Sequence, residues 1–195
     1  IHNFVTAQGL LPDSDRLSAE HDEPWPGGRT NHYLFDMNRD WFIQTQPETQ
    51  GRTKAMLEWY PVAYVDAHEM GSDGTYFFAP EAVPYNPHLA EAQRSSLQLF
   101  GRNNARYFDM FGFDYFTREV YDAFYPGYGA SWPSYFGSIA MTYEQASARG
   151  LVVRQYDGND LHYRYTVRNH FVTSLATAET VAQNREKFLQ EFYEY

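Results

Sequence analysis

A helical segment that stops at a proline and hands straight into a short apolar run is the feature that most constrains this chain. The helix is expected to start at Thr45, which can cap it, with Pro47 tolerated in the first turn and Glu48 suited to the positive helix end. Met56, Leu57 and Tyr60 give it an apolar face, and Pro61 ends it. Val62-Ala63-Tyr64-Val65 then reads as a buried strand running into Asp66-Ala67-His68-Glu69-Met70-Gly71. A second strand is expected at Ile139-Ala140-Met141-Thr142-Tyr143, entered after Gly137 and ending at Glu144. Helix, strand, then polar residues is an α/β signature, in which functional groups sit at the carboxyl ends of strands.

Around these strands the pattern predicts a helix over 88–110, with Leu89, Ala92, Leu97, Leu99 and Phe100 near one face, and a long helix over 165–193. The latter carries Val167, Phe171, Leu175, Val181, Phe188 and Phe192. Tyr33-Leu34-Phe35-Asp36-Met37 resembles a strand end. Residues 71–87 and 111–137 are loops rich in aromatics, and 1–30 are turn chemistry punctuated by Pro and Gly. No repeat or linker interrupts the chain. A single domain over 1–195, irregular over 1–23, is expected, and 195 residues are enough for one sizeable core. With 43% hydrophobic and 21% charged residues the composition is globular. A net charge of −10 argues against nucleic acid and against anionic lipid as partners. The absence of Cys removes disulfides, thiolate nucleophiles and Cys-based zinc sites. No apolar run approaches the ~20 residues of a membrane span.

Three groups stand at predicted strand ends: Asp36 with Asn38 and Arg39, Asp66 with His68, and Glu144. Neutral imidazole at His68 suits zinc, and Asp36 or Asp66 could orient a ligating ring from behind. Arg39 offers a planar fork for a carboxylate. Glu144 could serve as a general base for a metal-bound water. Each has a plainer reading beside it: a strand histidine is more often structural than ligating, an Asn-Arg pair is more often a surface feature, and a strand-end glutamate is usually solvated.

The order of the motifs adds specificity. Asp36-Met37-Asn38-Arg39-Asp40-Trp41, then Val65-Asp66-Ala67-His68, then Ser131-Trp132-Pro133-Ser134-Tyr135 with Gly137 and Met141-Thr142-Tyr143-Glu144, resemble in sequence three motifs of the zinc carboxypeptidase (metallocarboxypeptidase) family. The stretch from Pro24, with Gly27-Gly28-Arg29-Thr30-Asn31-His32, is more like a bacterial branch, and the resemblance runs to about Gly150. It implies a mixed central sheet flanked by helices, incomplete at the N-terminus, and a zinc-dependent hydrolase that removes C-terminal residues from peptides. By position it makes His68 a zinc ligand, and Asn38 and Arg39 the binders of the substrate's terminal carboxylate. Glu144 becomes the residue that activates water and passes its proton to the leaving amine. Asp36 would support an absent His ligand, Arg29 would polarise the scissile carbonyl, and the mobile tyrosine is sought at Tyr128 or Tyr125. The resemblance also implies an exported enzyme, periplasmic or secreted.

The family's first two ligands come from His-x-x-Glu. Here His2, His21 and His32 are followed three residues on by Val5, Pro24 and Phe35, and Glu20-His21-Asp22-Glu23 reads as a solvated acidic turn. One imidazole cannot supply the three protein ligands of a hydrolytic zinc site. The chain, which begins at Ile1, is therefore expected to be a fragment that binds zinc weakly or not at all and has little activity alone. Its exposed sheet edge invites pairing with a second copy as a homodimer. A rival reading is a non-catalytic module binding peptide or glycan on aromatic loops 73–85 and 111–136, with His68 and Glu144 merely structural.

Overall fold

The computed structural model describes residues 28–195, and its first regular element is anchored by a buried carboxylate. Asp40 Oδ1 accepts hydrogen bonds from the Thr45 backbone (3.0 Å) and hydroxyl (2.7 Å), and Oδ2 accepts one from the Gln46 N–H (3.0 Å). The helix α1, Pro47–Trp59, therefore starts after Gln46 rather than at Thr45. It ends at Tyr60, whose φ of 47° lies in the left-handed region just before Pro61.

Strand β1, Ala63–Met70, runs longer than its apolar start suggested, so Asp66 and His68 lie within it and not beyond its end. After β2, Tyr76–Phe77, come α2, Glu91–Phe111, and a short 3₁₀ helix, Trp132–Phe136. Strand β3, Ile139–Ala146, likewise continues past Glu144. Then follow the hairpin strands β4, Val152–Arg154, and β5, Asp160–His162, and the helices α3, Tyr163–Gln183, and α4, Arg185–Glu194. The segment 33–37 forms no strand. It contributes an isolated bridge between Thr30 and Asp36. The expected single helix over 165–193 is two, because the Asn184 amide donates to the Thr180 carbonyl at 2.8 Å and competes with the backbone ladder at that turn.

The main sheet is mixed, in the order β1-β3-β2, with β1 parallel and β2 antiparallel to β3. Among the described residues β1 is paired on one edge only. The alternation of strand side chains divides β3 between two environments. Ile139, Met141 and Tyr143 face a core built with Leu97, Phe100 and Phe108 of α2 and Val172 of α3. The buried Tyr143 hydroxyl is satisfied by the Asn104 amide at 2.9 Å and the Thr177 hydroxyl at 2.6 Å. Tyr76, Phe77 and Phe78 are fully buried, and Tyr76 packs on Phe108 with ring centroids 4.9 Å apart. The aromatic residues of 76–78 thus fill the core and present no binding face. Among the described residues, no helix is long and apolar enough to cross a membrane.

Where β2 ends, a side chain replaces the missing strand partner. Glu81, only 2% exposed, accepts the Thr142 N–H of β3 through Oε1 at 3.2 Å, while its Oε2 is buried without a partner. Burial pushes this carboxyl up to about 7. Its folded-state value lies above the unfolded one, so between pH ~4.5 and ~7 the native state holds a proton that the unfolded chain has released. Stability must then fall as pH rises through that window. Glu81→Gln should remove this dependence. In urea titrations its stability relative to the unmodified chain is expected to rise from pH 5 to pH 8, by at most about 3 kcal/mol. A gap between the two proteins that does not change with pH would contradict this account.

Candidate active site

The parallel register sets His68 beside Glu144 and Asp66 beside Thr142. In-register residues of parallel neighbours project to the same face, and all four line one cavity of about 350 Å³. Arg29, Asn38, Arg39 and Tyr128 complete its polar wall, and the loop at Val120, Tyr121 and Asp122 closes another side. Arg39, His68 and Glu144 thus meet at one hollow.

The turn carrying Asn38 and Arg39 is tied down from several sides. Asp36 Oδ1 accepts the Asn38 N–H at 2.8 Å, and Asp36 Oδ2 pairs with Arg29 Nε at 3.1 Å. Asp36 therefore spends its carboxylate on this turn and on Arg29. Arg52 of α1 donates to the Met37 carbonyl at 2.9 Å and lies over the Trp41 ring. The Asn38 side chain ties this turn to the 125–129 loop and approaches the His68 ring. Its Oδ1 accepts the Gly129 N–H at 2.6 Å, and its Nδ2 lies 3.2 Å from His68 Nε2. Arg39 donates to the Asn38 carbonyl at 2.8 Å and stacks on Tyr128, 4.6 Å from the ring centroid. Tyr125 stands behind: it packs edge-on against Tyr128 and donates to the Arg39 carbonyl at 3.1 Å. Of the two tyrosines, Tyr128 is the one that lines the cavity.

Gly129 is seated where a side chain has no room. A Cβ there would come within 2.5 Å of Asp66 Oδ2 and 2.9 Å of Trp41 Nε1. This close approach lets the 125–129 loop deliver Tyr128 to the cavity while its backbone meets Asn38.

His68 Nε2 is 2.8 Å from Asp66 Oδ2. That hydrogen bond, against the opposing effect of burial, raises the pKa of the ring. The shorter contact assigns the Nε2 proton to Asp66, leaving Nδ1 as the ring atom with a lone pair to offer. Glu144 is 8% exposed. Burial pushes its carboxyl up to about 7, opposed by the charge of His68 and reinforced by that of Asp66. Such a group can take and return a proton near neutral pH. Tyr121, which sequence reasoning passed over, is pushed up to about 12 by burial and the nearby Glu144 charge, so its phenol keeps its proton. Thr142, Glu69 and Asp122 were also missed as cavity residues. Thr142 could have been found from the two-residue period that links it to Glu144, whereas Tyr121 and Asp122 carry no local signal.

A metal site tests differently. His68 Nδ1 fits the chemistry of one zinc ligand, but a hydrolytic zinc takes three protein ligands. Among the described residues no group of three or more His, Cys, Asp or Glu could hold a metal ion. These residues do not by themselves make such a centre. His2, His21 and the acidic cluster at 20–23 lie outside the described residues, and the exposed His32 stacks edge-on against Tyr33.

The mixed sheet flanked by helices is similar in fold to solved bacterial carboxypeptidases. The chain is similar to a metallo-carboxypeptidase from Burkholderia cenocepacia, with a TM-score of 0.61 and 15% identity, covering 80% of this chain and 41% of that one. It is also similar to a candidate carboxypeptidase from Burkholderia mallei, with a TM-score of 0.54 and 16% identity, covering 87% and 41%. At such identities the likeness is one of fold, and the chain spans about two fifths of the length of either solved structure. No family model matches the sequence, and no curated protein matches it significantly.

Asn38→Ala tests the bridge between these elements. It would leave the buried Gly129 N–H without its acceptor, and a loss of about 1–3 kcal/mol in unfolding free energy is expected from denaturant titration. An unchanged midpoint would show that the bridge contributes nothing to holding the site together.

Proposed function

We propose that this chain is the later part of a zinc-dependent metallocarboxypeptidase-type hydrolase, which removes residues from the C-terminus of peptides. The observation that carries the reading is the meeting of a stacked guanidinium, an imidazole backed by a carboxylate and a near-neutral buried carboxyl at one cavity. Arg39, flattened on Tyr128, offers its remaining N–H groups to a terminal carboxylate and so selects chain ends. Asn38 holds the Arg39 turn and Gly129 in one frame. Glu144 takes the proton of the attacking water and delivers it to the amine nitrogen as the C–N bond breaks. Arg29, with Nε engaged by Asp36, has its other N–H groups to set against the oxyanion. His68 would be one zinc ligand. Bound zinc would supply Lewis-acid polarisation, and its other protein ligands have to come from outside the described residues. The likeness of fold to a protein described as a metallo-carboxypeptidase supports the same reading.

The test uses the longest natural protein that carries this chain, assayed on paired peptides with free-acid and amidated C-termini. Cleavage restricted to the free acids is expected. Glu144→Gln should lower kcat by about a hundredfold or more, and Arg39→Ala should act mainly through KM. Equal turnover of amidated peptides would overturn the reading. The 195-residue chain alone is expected to retain less than stoichiometric zinc in equilibrium dialysis at micromolar free metal. Tight binding there would mean that the chain completes its own site.

A further inference from the structure

A carboxylate in the cavity wall has no task in the proposed chemistry. Asp122 lines the cavity beside Val120 and Tyr121. Its Oδ1 accepts the Phe124 N–H at 2.8 Å, and among the described residues no cationic side chain pairs with it. The other acids of the wall have partners or duties. Asp66 pairs with His68 at 2.8 Å, Glu69 accepts the Ser147 hydroxyl at 3.3 Å, and Glu144 is assigned to proton transfer in the reading above.

The sheet fixes where Asp122 stands relative to Arg39. In the strand order β1-β3-β2, Asn38 approaches His68 of β1, so its neighbour Arg39 enters from the β1 side. Asp122 enters from the β2 side. Ala82, just beyond β2, forms an isolated bridge with Asp122 and donates to the Tyr121 carbonyl at 2.7 Å, while the preceding Glu81 meets the Thr142 N–H. Thr142 and Glu144 of β3 lie between the two flanks. With neighbouring strands ~4.8 Å apart, those flanks are about 10 Å from each other. A terminal residue whose carboxylate meets Arg39 can thus extend its side chain across the floor towards Asp122.

The loop keeps this position under backbone strain. Arg118 and Val120 take φ of 63° and 65°, in the left-handed region that a β-branched residue rarely adopts. Val120 is 76% exposed, so burial does not explain its conformation. The Arg118 N–H donates to the Pro80 carbonyl at 2.8 Å, and with the Ala82 bond it holds the loop on both sides of Val120. Strained backbone of this kind collects where a site needs a side chain in one place.

We infer that Asp122 is a specificity-determining residue that selects peptides ending in lysine or arginine. The inference names the substrate class of the hydrolase reading and rests on it. Arg39 takes the terminal carboxylate, and Asp122 takes the positive end of the last side chain. An apolar last residue would cover Asp122 and leave it unpaired, and an acidic one would meet a like charge. The net charge of −10 adds attraction for a cationic substrate.

The test compares peptides that differ only in the last residue, lysine against its uncharged analogue norleucine, in the same longest natural protein. kcat/KM is expected to favour lysine by about tenfold or more, and the preference should shrink at high salt. Asp122→Asn removes the charge yet keeps an oxygen to accept the Phe124 N–H, so the loop should stand. The ratio of lysine to norleucine should then fall to within about twofold of unity. Asp122→Glu, which keeps the charge, should retain a preference for lysine. Norleucine cleaved as well as lysine, or a ratio that Asp122→Asn leaves in place, would overturn the inference while the hydrolase reading stood. If no peptide is cleaved, the hydrolase reading falls, and calorimetric binding of free lysine against norleucine decides the role of Asp122. A lysine preference lost in Asp122→Asn would uphold it, and equal affinity or no binding of either would overturn it.

Discussion

The parallel pairing of β1 with β3 brings His68 and Glu144 level on adjacent strands although they lie far apart in the chain. Because strand side chains alternate, a slip of one residue in that pairing would turn Asp66 and His68 to the opposite face from Thr142 and Glu144. The register is held from both sides. On one face Met141 and Tyr143 are locked into the aromatic core. On the other, Asn38 Oδ1 accepts the Gly129 N–H and fixes the loop that closes against Asp66. The site is thus a by-product of correct sheet assembly.

Electrostatics follow from the same layout. Glu81, from the loop after β2, meets β3 at the Thr142 N–H, two residues before Glu144, which faces the cavity. Both are lifted towards neutral pH chiefly by loss of water. Their neighbours differ. Glu144 feels His68, Asp66 and Arg29, so its charge state answers to whatever enters the hollow, whereas the partners of Glu81 are backbone groups. Burial of the same chemical group produces a structural plug in one place and, at the cavity, a carboxyl that can exchange a proton near neutral pH.

Much of this was legible from residue order. The strand bearing His68, the strand bearing Glu144, the α/β class and the helix stop at Pro61 all follow from period and punctuation. Arg39, His68 and Glu144 were singled out by motif order, and the fold brings them to one cavity. Other features were hidden because they depend on distant contacts. Asp40 displaces the start of α1 by binding two backbone N–H groups, which no cap propensity of Thr45 reveals. Tyr121 reaches the cavity because the Ala82 N–H donates to the Tyr121 carbonyl across two loops. The β4–β5 hairpin did leave a trace, in Asp157-Gly158, where Gly158 takes a φ of +87° and Arg154 pairs with Asp160. The aromatic excess reads equally well as core or as binding face in a sequence, and only burial separates the two.

The seat at Gly129 has a practical side. The loop from 120 to 129 is the natural target for anyone wishing to reshape this hollow, and it is not uniformly malleable. Any methyl at 129 collides with Asp66 and Trp41, and one at Gly127 meets Tyr125 and the Arg39 carbonyl. Val120, by contrast, is 76% exposed and borders the cavity. Diversity in a library belongs first at 120, among residues that tolerate its φ of +65°, with the two glycines kept.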